Sequence, residues 1–241
     1  MNNFDLELVH NSKMPEVKLI VARHGNTFNK GDVILRVGAR TDIPLTEEGK
    51  AQGMRLGENL LSAGLKPTRF LAAPLKRTIQ TCEEAAKAFG DSIHPELLPF
   101  LTELDYGEYD GRPETEVVQK LGALEAKAQG KHAENSQDFI SLGNEALKRW
   151  DKEKILPAAW SFLQPRVNEL ENQWMSLAQQ LQNSSTNETW LAVTSNGIAR
   201  FALAILPSKA IVPESLKLST GAYGVFAWDG SVWNLENWNI R

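Results

Sequence analysis

The chain is short of several things, and each shortage excludes a class of protein. Cys82 is its only cysteine, so no internal disulfide can form and a reducing compartment fits. No apolar run approaches the roughly 20 residues of a membrane span. Residues 1–14 are polar and acidic and lack the apolar core of a secretory signal. A cytoplasmic location is therefore expected, with no membrane partner. Excess positive charge is absent too: the formal net charge is −4, which offers no electrostatic footprint for nucleic acid. The four histidines fall in no spacing that would hold a metal, so neither metal nor cofactor is expected.

What is present is material for a core. Of 241 residues, 42% are hydrophobic, enough for one good-sized domain. Residues 1–16 read as an N-terminal extension and 17–241 as a single domain. Val17 to Ala22 is a β-branched and aliphatic run, the pattern of a buried strand. Thr46 is a good N-cap for a helix whose Gly53, Met54, Gly57, Leu60 and Leu61 share a face suited to close helix–sheet packing. Arg69 to Ala72 is a short strand, followed by a helix with Pro74 as its first residue, ending at Gly90. Residues 92–100 read as extended. Residues 112–163, polar and interrupted by Gly122, Gly130, Gly143 and Pro157, read as short helices inserted over the sheet edge. From Pro165 the clearest amphipathic stripe runs through Val167, Leu170, Trp174, Leu177 and Leu181. Trp190 to Thr194 is a second buried strand, with a helix from Ile198 to Leu206 after it. A hairpin across Asp229-Gly230 closes the chain. The alternation predicts a three-layer α/β/α domain with a mostly parallel central sheet and a small helical insertion over the active-site edge.

The first strand ends in Arg23-His24-Gly25. In an open α/β sheet the carboxyl ends of parallel strands are where ligands bind. Arg23 offers a fork of donors for a phosphate or carboxylate, His24 a nucleophilic nitrogen, and Gly25 a sharp turn or close approach. Three further segments follow in order: Pro44-Leu45-Thr46-Glu47-Glu48-Gly49; Ala73-Pro74-Leu75-Lys76-Arg77-Thr78 with Thr81; and Leu101 to Gly111, containing Glu103, Tyr106 and Gly107. Together they resemble the histidine phosphatase superfamily, also called phosphoglycerate mutase-like, over roughly residues 17–240.

The resemblance implies that His24 is a phosphohistidine-forming nucleophile, Glu103 the general acid, and Arg23 and Arg77 the phosphate clamp. Asp105 and Glu108 compete for the acid's role, but Glu103 holds the family's place four residues before Gly107. Asn29 resembles a phosphate-binding Asn of the family, although the spacing from the triplet is one residue short. Arg36 and Arg40 could reach an anionic substrate or be solvated. One departure stands out. Where the family carries a second His, this chain reads Ser195-Asn196-Gly197, and Asn196 is expected to give the phosphate a neutral hydrogen bond. His10, His94 and His132 are the remaining histidines that could approach the site. The implied activity is metal-independent hydrolysis of a small phosphorylated substrate. A phosphoester-binding protein without turnover is the alternative from another class. A phosphoglycerate mutase ranks below both, because Leu104 and Asp105 occupy places where mutases carry basic residues. Nothing in the sequence specifies an oligomeric state.

Overall fold

Twelve regular elements appear in a computed structural model that describes residues 14–131 and 135–241. They are β1 (Val17–Arg23), α1 (Glu47–Ser62), β2 (Arg69–Ala72), α2 (Lys76–Lys87), β3 (Glu96–Leu97), α3 (Glu114–Gln129), α4 (Ser136–Glu153), α5 (Gln164–Gln182), β4 (Glu188–Thr194), α6 (Asn196–Ala199), β5 (Tyr223–Trp228) and β6 (Trp233–Ile240). Short 3-10 turns link several of them. The sheet order is β3-β2-β4-β1-β5-β6. The four strands β1 to β4 run parallel, and β5 and β6 are added antiparallel.

The period-2 alternation of the strands sorts the core into two layers. Val17, Leu19, Val21, Leu71, Trp190, Ala192 and Phe226 face a layer built from α5 and the turn that follows α6. Ile20, Ala22, Ala72, Leu191, Val193 and Val225 face α1 and α2. This is the three-layer α/β/α arrangement, and the α5 stripe from Val167 to Leu181 is buried as the spacing predicts. Among the described residues no helix is long and apolar enough to cross a membrane.

Several local expectations need correction. Gly53 and Gly57 of α1 serve helix–helix contact, not helix–sheet packing: a Cβ on Gly57 would lie 2.1 Å from the Ala85 carbonyl oxygen in α2. Leu56 takes the buried place on that face and Leu61 is exposed. Helix α2 starts at Lys76, not Pro74, because Asp42 from a distant loop accepts the Lys76 N–H at 2.7 Å. Only Glu96 and Leu97 of the stretch 92–100 pair with the sheet. Helix α6 is a single turn that tightens into a 3-10 turn, Arg200–Ile205.

The largest correction concerns residues 112–163. They form two full helices, α3 of 16 residues and α4 of 18. Gly122 and Gly143 are the points where these helices touch. A Cβ on Gly122 would sit 1.7 Å from the Phe139 carbonyl oxygen, and one on Gly143 2.0 Å from that of Val118. A helical glycine costs ~0.5–1 kcal/mol relative to alanine, and close packing of the two backbones offsets it.

Candidate active site

The four sequence motifs meet at the carboxyl ends of β1 and β4, and packing explains why. Gly25 follows β1 and lies against Gly49 of α1: a Cβ on Gly25 would be 2.3 Å from the Gly49 oxygen, and one on Gly49 2.1 Å from the Asn26 oxygen. Thr46 caps α1 through Gly49 N–H and donates its own N–H to the Asn26 carbonyl. Thr81 of α2 accepts the Gly25 N–H at 3.0 Å and donates to the Arg77 carbonyl at 2.7 Å. The turn carrying His24 is thus held by α1 and α2 together.

His24 is buried, and its Nδ1 lies 2.8 Å from the carbonyl oxygen of Gly25. That acceptor places the imidazole proton on Nδ1 and leaves the Nε2 lone pair free. Burial, then Arg77, then Arg23 push the His24 pKa well below its ordinary value, so the ring is neutral at pH 7. Arg23 anchors one arm on the Leu218 carbonyl at 2.9 Å. Arg77 is fully buried and spends two arms on the carbonyls of Thr41 and Gly38, at 2.9 and 3.1 Å. The Nε groups of both arginines are buried without a partner, a costly state for a donor unless a ligand satisfies it.

Glu103 is buried and faces the same cavity. Its Oε1 accepts the Leu104 N–H at 2.9 Å and its Oε2 accepts the Gly197 N–H at 3.0 Å. The first turn of α6 therefore points a backbone donor at Glu103. Only glycine fits there, because a Cβ on Gly197 would lie 2.0 Å from Glu103 Oε1. Asn196 Oδ1 accepts the Leu218 N–H at 3.0 Å, which leaves its Nδ2 hydrogens for the cavity it lines.

Arg23, His24, Glu103 and Asn196 share one cavity of about 490 Å³. Arg77 does not line it and acts on His24 through space. Asn29 is not brought there: it is exposed, and its backbone N–H donates to Asp32. Asn26 and Thr27 line the cavity instead. Asp105 and Glu108 lie outside as well, paired with Arg40 at 2.8 Å and Lys120 at 3.7 Å. Arg36 lines the cavity and Arg40 does not. His94 is exposed beside Glu83, and His10 and His132 fall outside the described residues. Sequence reasoning missed Arg200, Lys217, Glu114 and Asp151, all of which line the cavity. For Arg200 a signal existed: it stands four residues after Asn196, one helical turn away. Glu114 and Asp151 had only a coarse one: residues 112–163 read as an insertion over the active-site edge, with no residue in it singled out.

A family model described as the histidine phosphatase superfamily (branch 1) matches residues 19–154. The 2,3-bisphosphoglycerate-dependent phosphoglycerate mutase of Corynebacterium jeikeium is 30% identical over 129 residues, 53% of this chain and 50% of that protein. The enzyme of the same name from Rhizobium etli is 31% identical over 94 residues, 39% of this chain and 44% of that one. The chain thus spans about half the length of these curated relatives, or less. Among solved structures, phosphoglycerate mutase from Bacillus anthracis superposes with a TM-score of 0.65 at 18% identity over 94% of each chain. A mycobacterial glucosyl-3-phosphoglycerate phosphatase in complex with VO3 gives 0.60 at 17% identity, over 93% of this chain and all of that one. At such identities the likeness is one of fold.

Proposed function

Because this chain belongs to the histidine phosphatase superfamily (branch 1), we propose that it hydrolyses phosphomonoesters through a phosphohistidine on His24. The observation that carries this reading is a neutral imidazole, its Nδ1 on the Gly25 carbonyl, in one cavity with the Glu103 carboxyl. His24 Nε2 attacks phosphorus while the bond to the ester oxygen breaks. Glu103, as general acid, gives a proton to the departing alkoxide. Water then attacks the phosphohistidine, Glu103 takes a proton back, and inorganic phosphate leaves. Arg23, which lines the cavity, neutralises the equatorial oxygens, and the buried charge of Arg77 adds to the positive field at His24. Asn196 adds a neutral hydrogen bond. No divalent metal takes part in this scheme, and residues 17–241 act as one catalytic unit, with residues 112–163 covering the active-site edge.

One observation favours a second reading, a phosphoester-binding protein with little turnover. Asn196 cannot supply the charge of the family's second His, and a lost transition-state donor costs ~2.7–4 kcal/mol, several hundredfold in rate. A mutase is less well supported. Leu104 is buried and Asp105 is paired with Arg40, where a bisphosphate would need cations.

The test is acid-labile labelling by a phosphate donor. The wild type should label and release phosphate from p-nitrophenyl phosphate, and His24→Ala should do neither. An active His24→Ala enzyme refutes the nucleophile. Vanadate binding by a wild type that neither labels nor turns over selects the binding protein.

A further inference from the structure

Beside the catalytic cavity lies a second hollow of about 570 Å³. Phe28, Val33, Leu35, Ile43, Pro44 and Leu45 supply its apolar wall, and Asp32 is the one charged residue lining it. Thr27, Phe28 and Leu35 line both this groove and the cavity. They form a rim between the two and not a buried partition. Phe28 and Leu35 are only half-buried, while Val33, in the groove, and Ile34, in the cavity, are 68% and 50% exposed. Single exposed apolar residues need no explanation, but a contiguous apolar surface at the mouth of a site does. Nor does it sit on a loose loop. The Arg36 N–H donates to the Arg112 carbonyl and the Glu114 N–H to the Ile34 carbonyl, both at 2.8 Å, and Leu35 bridges to Pro113. On the other bank the Leu45 N–H donates to Gln80 Oε1 at 2.8 Å and the Thr46 N–H to the Asn26 carbonyl at 2.9 Å. Both banks are fixed through their backbones.

Resting on the phosphomonoesterase reading, we propose that the alcohol of the substrate is largely apolar, an alkyl chain that leaves the cavity over Phe28 and Leu35 and lies in this groove. Within the cavity Ile34 and Leu147 continue the same apolar surface inward. The groove itself holds no cation for an anionic extension, and its single carboxylate already accepts the Asn29 N–H at 2.7 Å. A chain on the substrate is favoured over a protein surface because the groove and the cavity share a rim, so that its occupant and the phosphate can belong to one molecule. Methylenes covered there add binding from a part of the substrate remote from phosphorus.

The test compares monobutyl phosphate, short enough to stay within the cavity, with monooctyl phosphate, at concentrations where neither forms micelles. Binding is read by calorimetry in a His24→Ala background, where turnover does not interfere. A methylene covered on one side gains about twofold in affinity, so the four extra ones should gain about fifteenfold. Equal affinities would leave the groove to another occupant, such as a protein surface, and overturn the proposal, as would failure of the octyl ester to bind. Val33→Asn combined with Ile43→Asn, two groove residues that do not line the cavity, should cut the gap below about fivefold, and an unchanged gap overturns the proposal. An octyl phosphate carrying a diazirine at its chain end gives a second reading. Its adducts should fall on residues 32–35 and 43–46, and adducts confined elsewhere overturn the proposal even if the double variant fails to fold. The phosphatase reading is judged separately by wild-type turnover of p-nitrophenyl phosphate: no turnover with the binding gap intact removes that reading and leaves the groove's assignment standing.

Discussion

Replacing Gly197 with alanine tests the proposed role of Glu103 as general acid without touching that residue. The added Cβ would lie 2.0 Å from Glu103 Oε1, 2.8 Å from its Cδ and 3.0 Å from Oε2. To reach ordinary contact at 3.4 Å from its present 2.0 Å, the carboxyl must retreat by about 1.4 Å. It cannot do so and keep both anchors, because Leu104 N–H and Gly197 N–H hold its two oxygens from fixed backbone. Losing one of these bonds costs ~1–2 kcal/mol of stability. Misplacing a catalytic group by about 1 Å can cost roughly a hundredfold in rate. The leaving group decides how much of that is felt. An alkyl phosphate needs the proton and should lose about a hundredfold in kcat/KM. Nitrophenolate leaves with little help, so p-nitrophenyl phosphate should lose less than about tenfold. Steady-state kinetics on both substrates, with vanadate binding and thermal unfolding as controls for an intact pocket and fold, provide the measurement. Equal losses on the two substrates, or wild-type rates on the alkyl ester, would refute the placement of Glu103 as the proton donor.

The pH dependence follows from His24. Its native pKa lies well below its ordinary value, so the reactive neutral ring persists as pH falls through 6.5, and the acid limb of kcat/KM set by this group should fall below that pH. The unfolded chain takes up the proton first, so stability is full above about pH 6.5 and declines beneath it; denaturant midpoints that stay level from pH 7 to 5 in the wild type would contradict a buried neutral His24. Asn196→Leu should weaken vanadate binding by about tenfold, the loss of one hydrogen bond to an anion, and unchanged affinity in a titration would remove Asn196 from the pocket. Gly122→Ala should lower stability by about 1–3 kcal/mol through overpacking of α3 on α4, and a denaturant midpoint equal to wild type would show that the two helices do not meet there.

By itself the sequence determined whatever rests on local periodicity and on residues close along the chain. The apolar run from Val17 to Ala22 could only be a buried strand, and the α5 stripe only an amphipathic helix. Arg-His-Gly at a strand end pointed to the edge where the cavity lies, and the family resemblance favoured Glu103, the one of the three carboxylates that lines that cavity. Glycines were harder to read, because a sequence does not say what lies opposite them. Gly122 and Gly143 look like breaks along the chain, yet each admits a carbonyl of the facing helix. That pairing turned an expected set of short helices into α3 and α4, which bring Glu114, Leu147, Trp150 and Asp151 to the cavity. Asn29 looked like a ligand by motif, but it is exposed and does not line the cavity. Tertiary structure alone decided the cavity's charge balance. Glu114, Asp151, Arg200 and Lys217 come from four separated stretches, and ion pairing depends on distances in space that no spacing along the chain encodes. It also decided that Arg77 would reach His24 by its field while its arms hold the loop at Gly38 and Thr41, because burial strips away the water that would otherwise screen that charge.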